Sequence, residues 1–244
     1  TSTYRLQITA ELDLFKAAEL LPYLHDLGAD WVYLSPILEA EPGSTHGYDV
    51  IRHDRVDPAR GGKEGLAALS AEARRLGMGV LVDIVPNHVG VATPSEDPWW
   101  WDVLKHGRDC APAAAVDIDW DAGHQKLQIP VVGDDDEAAI EVLVEEGEVR
   151  YHDNRFPLAP GTTTLEEQHY ELVNWRMADD GLNYRRFFSV QTPAAGRVGG
   201  PAGFAQAHVA IKRWVDEGAV DSLRGGHPHR LATGVIRQTV QNHT

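Results

Sequence analysis

The sequence predicts an α/β fold, an incomplete TIM-type (β/α) barrel holding about the first four strands, with a large irregular insertion after strand three. Three observations carry this. Short strand-like runs alternate with longer helical repeats through residues 1–88. The run Gly79-Val80-Leu81-Val82-Asp83-Ile84-Val85 is almost wholly apolar, as a strand buried on both faces of a parallel sheet requires. The alternation then breaks at residue 89 and resumes only near residue 204.

Taken in order, Tyr4–Thr9 alternates with period two and reads as the first strand. From Leu14 to Leu27 apolar residues recur at helical spacing through Ala17, Ala18, Leu20, Leu21 and Leu24. Trp31–Leu34 is a second strand, stopped by Ser35-Pro36. The turn Gly61-Gly62 precedes a helix over Lys63–Leu76, and Gly79–Val85 is the third strand. Strand, helix, strand, helix, strand implies a parallel sheet with right-handed crossovers. Residues 89–185 are rich in Pro, Gly, Asp and Trp, with strand-like runs at Lys126–Pro130 and Ile140–Val144. Asp134-Asp135-Asp136 reads as a solvated turn, because no spaced ligands accompany it as a calcium loop would need. A helical pattern over Phe204–Glu217 and a fourth strand at Ala219–Arg224 come next. The expected division is 1–88 as the opening of the barrel, 89–185 as an inserted subdomain, and 186–244 as the return with a divergent tail. An eight-unit barrel takes about 250 residues without large insertions. Four strands therefore leave an open half-barrel with unpaired edges. Thr1, which is no initiator Met, reads as a processed or cut end, or as the mark of a gene fragment.

The charge balance is 22 Lys and Arg against 37 Asp and Glu, a net −15. Such a surface repels nucleic acid and anionic lipid, so neither is expected as a partner, whereas a neutral sugar is compatible. One cysteine, Cys110, permits no intrachain disulfide and suggests a reducing compartment, the cytoplasm. No apolar run approaches membrane-spanning length, and no signal peptide opens the chain.

Parallel barrels present their chemistry at the C-terminal ends of strands and in the loops beyond them. Ser44-Thr45-His46-Gly47-Tyr48-Asp49, Asp83-Ile84-Val85-Pro86-Asn87-His88 and Leu223-Arg224-Gly225-Gly226-His227-Pro228 all fall there. Each offers groups that hydrogen-bond sugar hydroxyls, and the Tyr48 ring can stack on the apolar face of a pyranose. Singly, each has a plain structural reading: Tyr48 as packing, Asp83 as a cap, Asn87 as a turn residue, His46 and His88 as ordinary histidines. Their succession on consecutive strand ends is what joins them.

Asp83-x-x-x-Asn87-His88 resembles the first conserved region of the α-amylase clan, glycoside hydrolase family 13, and His46-Gly47-Tyr48-Asp49 resembles the sugar-binding loop before it. More narrowly, Ser2–Gln7, Tyr33–Ile37, Pro42–Asp49, Asp83–His88, Pro98–Leu104 and Leu182–Phe188 together resemble the trehalose-forming, maltooligosyltrehalose synthase branch of that clan. The resemblance implies intramolecular transglucosylation: the α-1,4 link at the reducing end of a maltodextrin becomes an α,α-1,1 link. It implies a maltooligosaccharide or other α-glucan as partner and no cofactor; some members of the clan use a calcium near the Asn87 position, but no oxygen cage is legible in this sequence, so no metal is assigned. It makes His46, Tyr48 and His88 lining groups of the attacked sugar's subsite, with Asp49, Asp83, Asn87 and His227 beside them, and it makes Arg224 the support of the nucleophile. The nucleophile's own slot, two residues beyond Arg224 and on the same strand face, holds Gly226, and His229 stands where a further Asp is expected. Asp221 is five residues further back, roughly 16 Å away toward the wrong end of the strand. A catalytically incompetent chain is therefore expected. Two readings stay open beside it: another clan hydrolase or transglycosidase, and a non-catalytic glucan-binding remnant.

Overall fold

The computed structural model describes residues 2–85, 89–114, 116–178, 182–188 and 208–225. The chain forms two compact units, one from Thr1–His88 with Gly199–Thr244, the other from Val89–Val198.

In the first unit, β1 (Thr3–Leu6) leads into α1 (Leu14–Asp26). Asp13 caps that helix by accepting from the Lys16 amide at 2.9 Å. Leu14, Ala17, Leu21 and Leu24, three or four apart, form its buried stripe. β1 ends earlier than the Tyr4–Thr9 pattern suggests because the backbone leaves the ladder. The Ile8 amide donates to Ser35 Oγ and the Thr9 amide to the Leu12 carbonyl. Beyond it come β2 (Trp31–Leu34) and an antiparallel hairpin of β3 (Leu38–Ala40) and β4 (Val50–Val56). The hairpin has no counterpart in the sequence reading. α2 (Gly62–Leu76) and β5 (Gly79–Ile84) complete this run.

The second unit opens with α3 (Pro98–His106), capped by Asp97, which accepts from the Trp99 and Trp100 amides. Of the three consecutive tryptophans, Trp100 enters the core with Val103 and Leu104. β6 (Val116–Ile118), β7 (Leu127–Val132), β8 (Ile140–Leu143), β9 (Glu148–Tyr151), β10 (Asn154–Pro157), β11 (Tyr170–Asn174) and β12 (Tyr184–Phe188) form three small sheets. The Asn183 side chain braces two segments: its Oδ1 accepts from the Gln128 amide, and its Nδ2 donates to the Asp119 and Lys126 carbonyls. The Tyr184 ring lies 4.9 Å from that of Trp100.

Returning to the first unit, α4 (Val209–Asp216) and β13 (Ser222–Gly225) finish the described chain. The start of the helical pattern at Phe204 lies outside the described residues. The sheet is wholly parallel, in the order β1-β2-β5-β13. It is a partial α/β sheet of the barrel type. β5 is not equally buried on both faces: Val80, Val82 and Ile84 pack toward the helices, whereas Leu81 on the other face is half-buried. Asp221 serves the start of the sheet, since it exchanges main-chain and side-chain hydrogen bonds with Val80.

Trp31 lies against Gly79, its partner in the β2–β5 register, and a Cβ at Gly79 would collide with the indole. Replacing Gly79 by Ala must displace that ring. A loss of about 1–3 kcal/mol is expected, typical of overpacking, and is read by urea unfolding together with a changed near-UV circular dichroism band.

Candidate active site

Residues two apart on a strand share a face, so Leu81 and Asp83 look to the same side of the sheet. Tyr33 stands opposite Leu81 and Arg224 opposite Asp83, which brings both to that side. There the Asp83 carboxylate, 1% exposed, collects three donors on its Oδ2. Tyr48 Oη donates at 2.6 Å, Tyr33 Oη at 2.9 Å and the Arg224 guanidinium at 3.0 Å. Burying a lone carboxylate costs several kcal/mol unless donors surround it. The Arg224 side chain is 53% exposed, so water screens its share of the attraction and the two phenols provide the shielded part of the solvation. Asp83 Oδ1 is buried and carries no hydrogen bond among the described residues. Burial, and after it the bond to Asp83, holds both the Tyr33 and Tyr48 phenols above the usual tyrosine pKa. Attraction to Asp83 raises the Arg224 pKa.

The loop between β3 and β4 places Tyr48. Ser44 Oγ donates to Asp49 Oδ1, and the Gly47 and Tyr48 amides donate to Ser44 Oγ and His46 Nδ1. Gly47 has φ +76°, and a Cβ there would approach the Pro36 carbonyl to 2.6 Å, so only glycine fits. From below, Gln7 Nε2 donates to the Thr45 carbonyl while accepting from Arg5, whose guanidinium lies 5.5 Å from the Tyr33 ring centre. Arg60, 2% exposed, pairs with Asp57 and donates to the Ile8 and Ser44 carbonyls. One buried guanidinium thereby fastens the end of β1, the loop and the turn before α2.

Tyr48, Asp83 and Arg224, all expected from the sequence, thus meet at one carboxylate. Asp49 is turned into its own loop. His46 is exposed and touches Tyr48 and Asp49, and among the described residues no hydrogen bond links it to Asp83. Asn87, His88, Gly226, His227 and His229 lie outside the described residues. The sequence reading missed Tyr33, Arg5 and Arg60. Tyr33 was legible in principle as the polar-tipped position between buried Val32 and Leu34. Arg60 has no such signal. No group of three or more His, Cys, Asp or Glu is placed to hold a metal among the described residues, and no described helix is long and apolar enough to cross a membrane. A cavity of about 600 Å³ edged by Phe15, Lys63, Leu66 and Trp214 is separate, for neither Asp83 nor its donors line it.

Replacing Arg60 by Met strips a buried pair of one partner and is expected to cost about 3–5 kcal/mol, measured by denaturant unfolding. The raised phenols give a second expectation. The folded state keeps protons that an unfolded tyrosine sheds near pH 10, so their stabilisation is whole below about pH 10 and drains away as pH climbs through the raised values. Urea midpoints should fall in that window, and fall less in Tyr48→Phe.

Residues 13–111 match the α-amylase catalytic domain. Over 237 residues the chain is 46% identical to a putative maltooligosyl trehalose synthase of Mycobacterium tuberculosis, a match covering 93% of this chain and 31% of that relative. The solved maltooligosyltrehalose synthase from Arthrobacter ramosus superposes with a TM-score of 0.86 at 52% identity, again over 93% of this chain and 31% of its own. A hypothetical maltooligosyl trehalose synthase from Sulfolobus tokodaii gives 0.76 at 32% identity over the same shares. The chain spans about a third of the length of these relatives.

Proposed function

The chain belongs to the α-amylase family, and on that premise we propose that it forms the first part of the sugar-binding machinery of a maltooligosyltrehalose synthase. The single observation that carries this reading is the buried Asp83 carboxylate, which gathers Tyr48 from the loop, Tyr33 from β2 and Arg224 from β13 at the C-terminal end of a parallel sheet. The narrower choice of reaction is supported by similarity that runs through the insertion, where the α-amylase match ends at residue 111.

In this reading an α-glucan enters over Tyr48, whose ring stacks on a glucose while its hydroxyl stays committed to Asp83. His46, Asn87, His88 and His227 are the proposed lining groups around it. Transfer that keeps the anomeric configuration uses two carboxyl groups about 5–5.5 Å apart, one as nucleophile and one as acid and base. Arg224 is the group that would orient the nucleophile. The sequence has Gly226 at that slot, and glycine offers no atom to attack a glucosyl carbon. The chain by itself is therefore proposed to bind glucan without turning it over, and that same Gly226 favours the second reading, a non-catalytic glucan-binding piece. Its lone, half-buried Cys110, whose thiol burial pushes above the usual range, suits a reducing compartment, and the cytoplasm is the proposed location.

Maltopentaose titrated into the chain is expected to give saturable heat and no product, and Tyr48→Ala is expected to lose the heat. A longer form that carries a carboxylate at position 226 and the missing acid should yield chains with a non-reducing trehalose end. New reducing ends from that form would instead make it a hydrolase and overturn the assignment.

A further inference from the structure

We propose that Trp175, on the surface of the second unit, is a further α-glucan contact, a stacking platform built from residues other than those around Asp83; its ligand class rests on the sugar-binding reading above. The three-aspartate run, read from the sequence as a plain solvated turn, is what builds it. β7 and β11 lie side by side with Asn174 opposite Val132, so the turn after β7 sits beside the residues after β11. Asp134 Oδ1 accepts from Asn174 Nδ2 at 2.9 Å, and its other oxygen meets the Arg176 guanidinium at 2.6 Å. Asn174 Oδ1 accepts from the Arg176 amide at 3.0 Å. The guanidinium so held lies 5.5 Å from the centre of the Trp175 ring.

The indole is 53% exposed, although a tryptophan is the side chain that gains most from burial. The guanidinium beside it is paired with Asp134 of the neighbouring turn. An exposed aromatic with a polar edge is the chemistry that recognises a pyranose: the C–H face of the sugar covers the ring, and its hydroxyls meet what remains of the hydrogen-bonding capacity of Arg176, Asn174 and Asp134. Arg176 and Asp134 cancel each other's charge, which suits a neutral ligand. An anion would also meet Asp136 on the same turn, itself tied to Tyr151 Oη at 2.6 Å and His152 Nε2 at 2.7 Å. A linear α-glucan is therefore the committed occupant.

The test is affinity electrophoresis through gels containing soluble glycogen, run in a Tyr48→Ala background so that the first site is silent. Adding Trp175→Ala should weaken retardation by about fivefold or more, as truncating an aromatic anchor does, whereas Trp175→Phe should keep most of it. Equal migration with and without Trp175→Ala overturns the inference. The separate comparison of Tyr48→Ala with the unaltered chain judges the Asp83 reading, so the two failures are distinguishable. A second measurement needs no variant: oxidation of tryptophans by N-bromosuccinimide, read peptide by peptide. Maltoheptaose should slow modification at Trp175, and unchanged modification there sinks the proposal whatever the variants do.

Discussion

A charge kept out of water must be surrounded, and in the first unit that charge is Asp83. Its three donors come from three separate stretches of chain: a strand laid down earlier, a loop between two hairpin strands, and a strand that arrives more than a hundred residues later. None of these segments is anchored to the others by local sequence. The β2–β5 and β5–β13 ladders bring Tyr33 and Arg224 to that side and the loop adds Tyr48, and together their donors offset a burial cost of several kcal/mol. The same need fixes the geometry that a sugar would meet. Tyr48 cannot offer its ring face freely and also wander, because its hydroxyl is engaged beneath. The remaining buried oxygen, Oδ1, has no hydrogen-bond partner among the described residues.

A second buried charge works one layer further out. Arg60 reaches the Ile8 and Ser44 carbonyls while paired with Asp57, and so carries the position of the end of β1 into the loop that presents Tyr48. At the opposite end of the sheet Asp221 binds Val80 through both backbone and side chain, which sets the register that puts Arg224 level with Asp83. The two aspartates are acidic residues that bracket the alignment of β5 and β13, and only Asp83 gathers Tyr33, Tyr48 and Arg224. Their roles differ because of the end of the strand at which each sits, not because of any difference in chemistry.

The regular elements of the first unit were legible because each carries its own period. α1, β2, α2 and β5 fall within a residue or so of their patterns. The hairpin of β3 and β4 was not, since Leu38–Ala40 is too short for alternation to register and Arg52–Arg55 is mostly polar. Among site residues, Asp83 and Arg224 are legible from their position at successive strand ends, and Tyr48 from the loop motif His46-Gly47-Tyr48-Asp49 that resembles the clan's. Arg60 is not, for a buried arginine looks like any surface arginine until its carbonyl partners are known. The turn at Asp134–Asp136 was read by composition as solvent-facing, and its exposure fits that. Composition is blind to the fact that two of its carboxylates are each spoken for by a different strand end.

The motifs of the inserted unit that carry the resemblance serve its framework. The tryptophan run supplies one core ring against Tyr184, and Asn183 closes three backbone bonds, so both are the framework of the inserted unit. In the proposed reading, binding would rest on Tyr33, Tyr48, Asp83 and Arg224, all of which precede the nucleophile's slot in the sequence. In that same reading turnover would need a nucleophilic carboxylate, and in the slot proposed for it the sequence has Gly226. Because the guanidinium of Arg224 is already held by Asp83, losing the nucleophile would leave no buried charge stranded there. On the proposed reading, a site of this design would keep its ligand without its reaction.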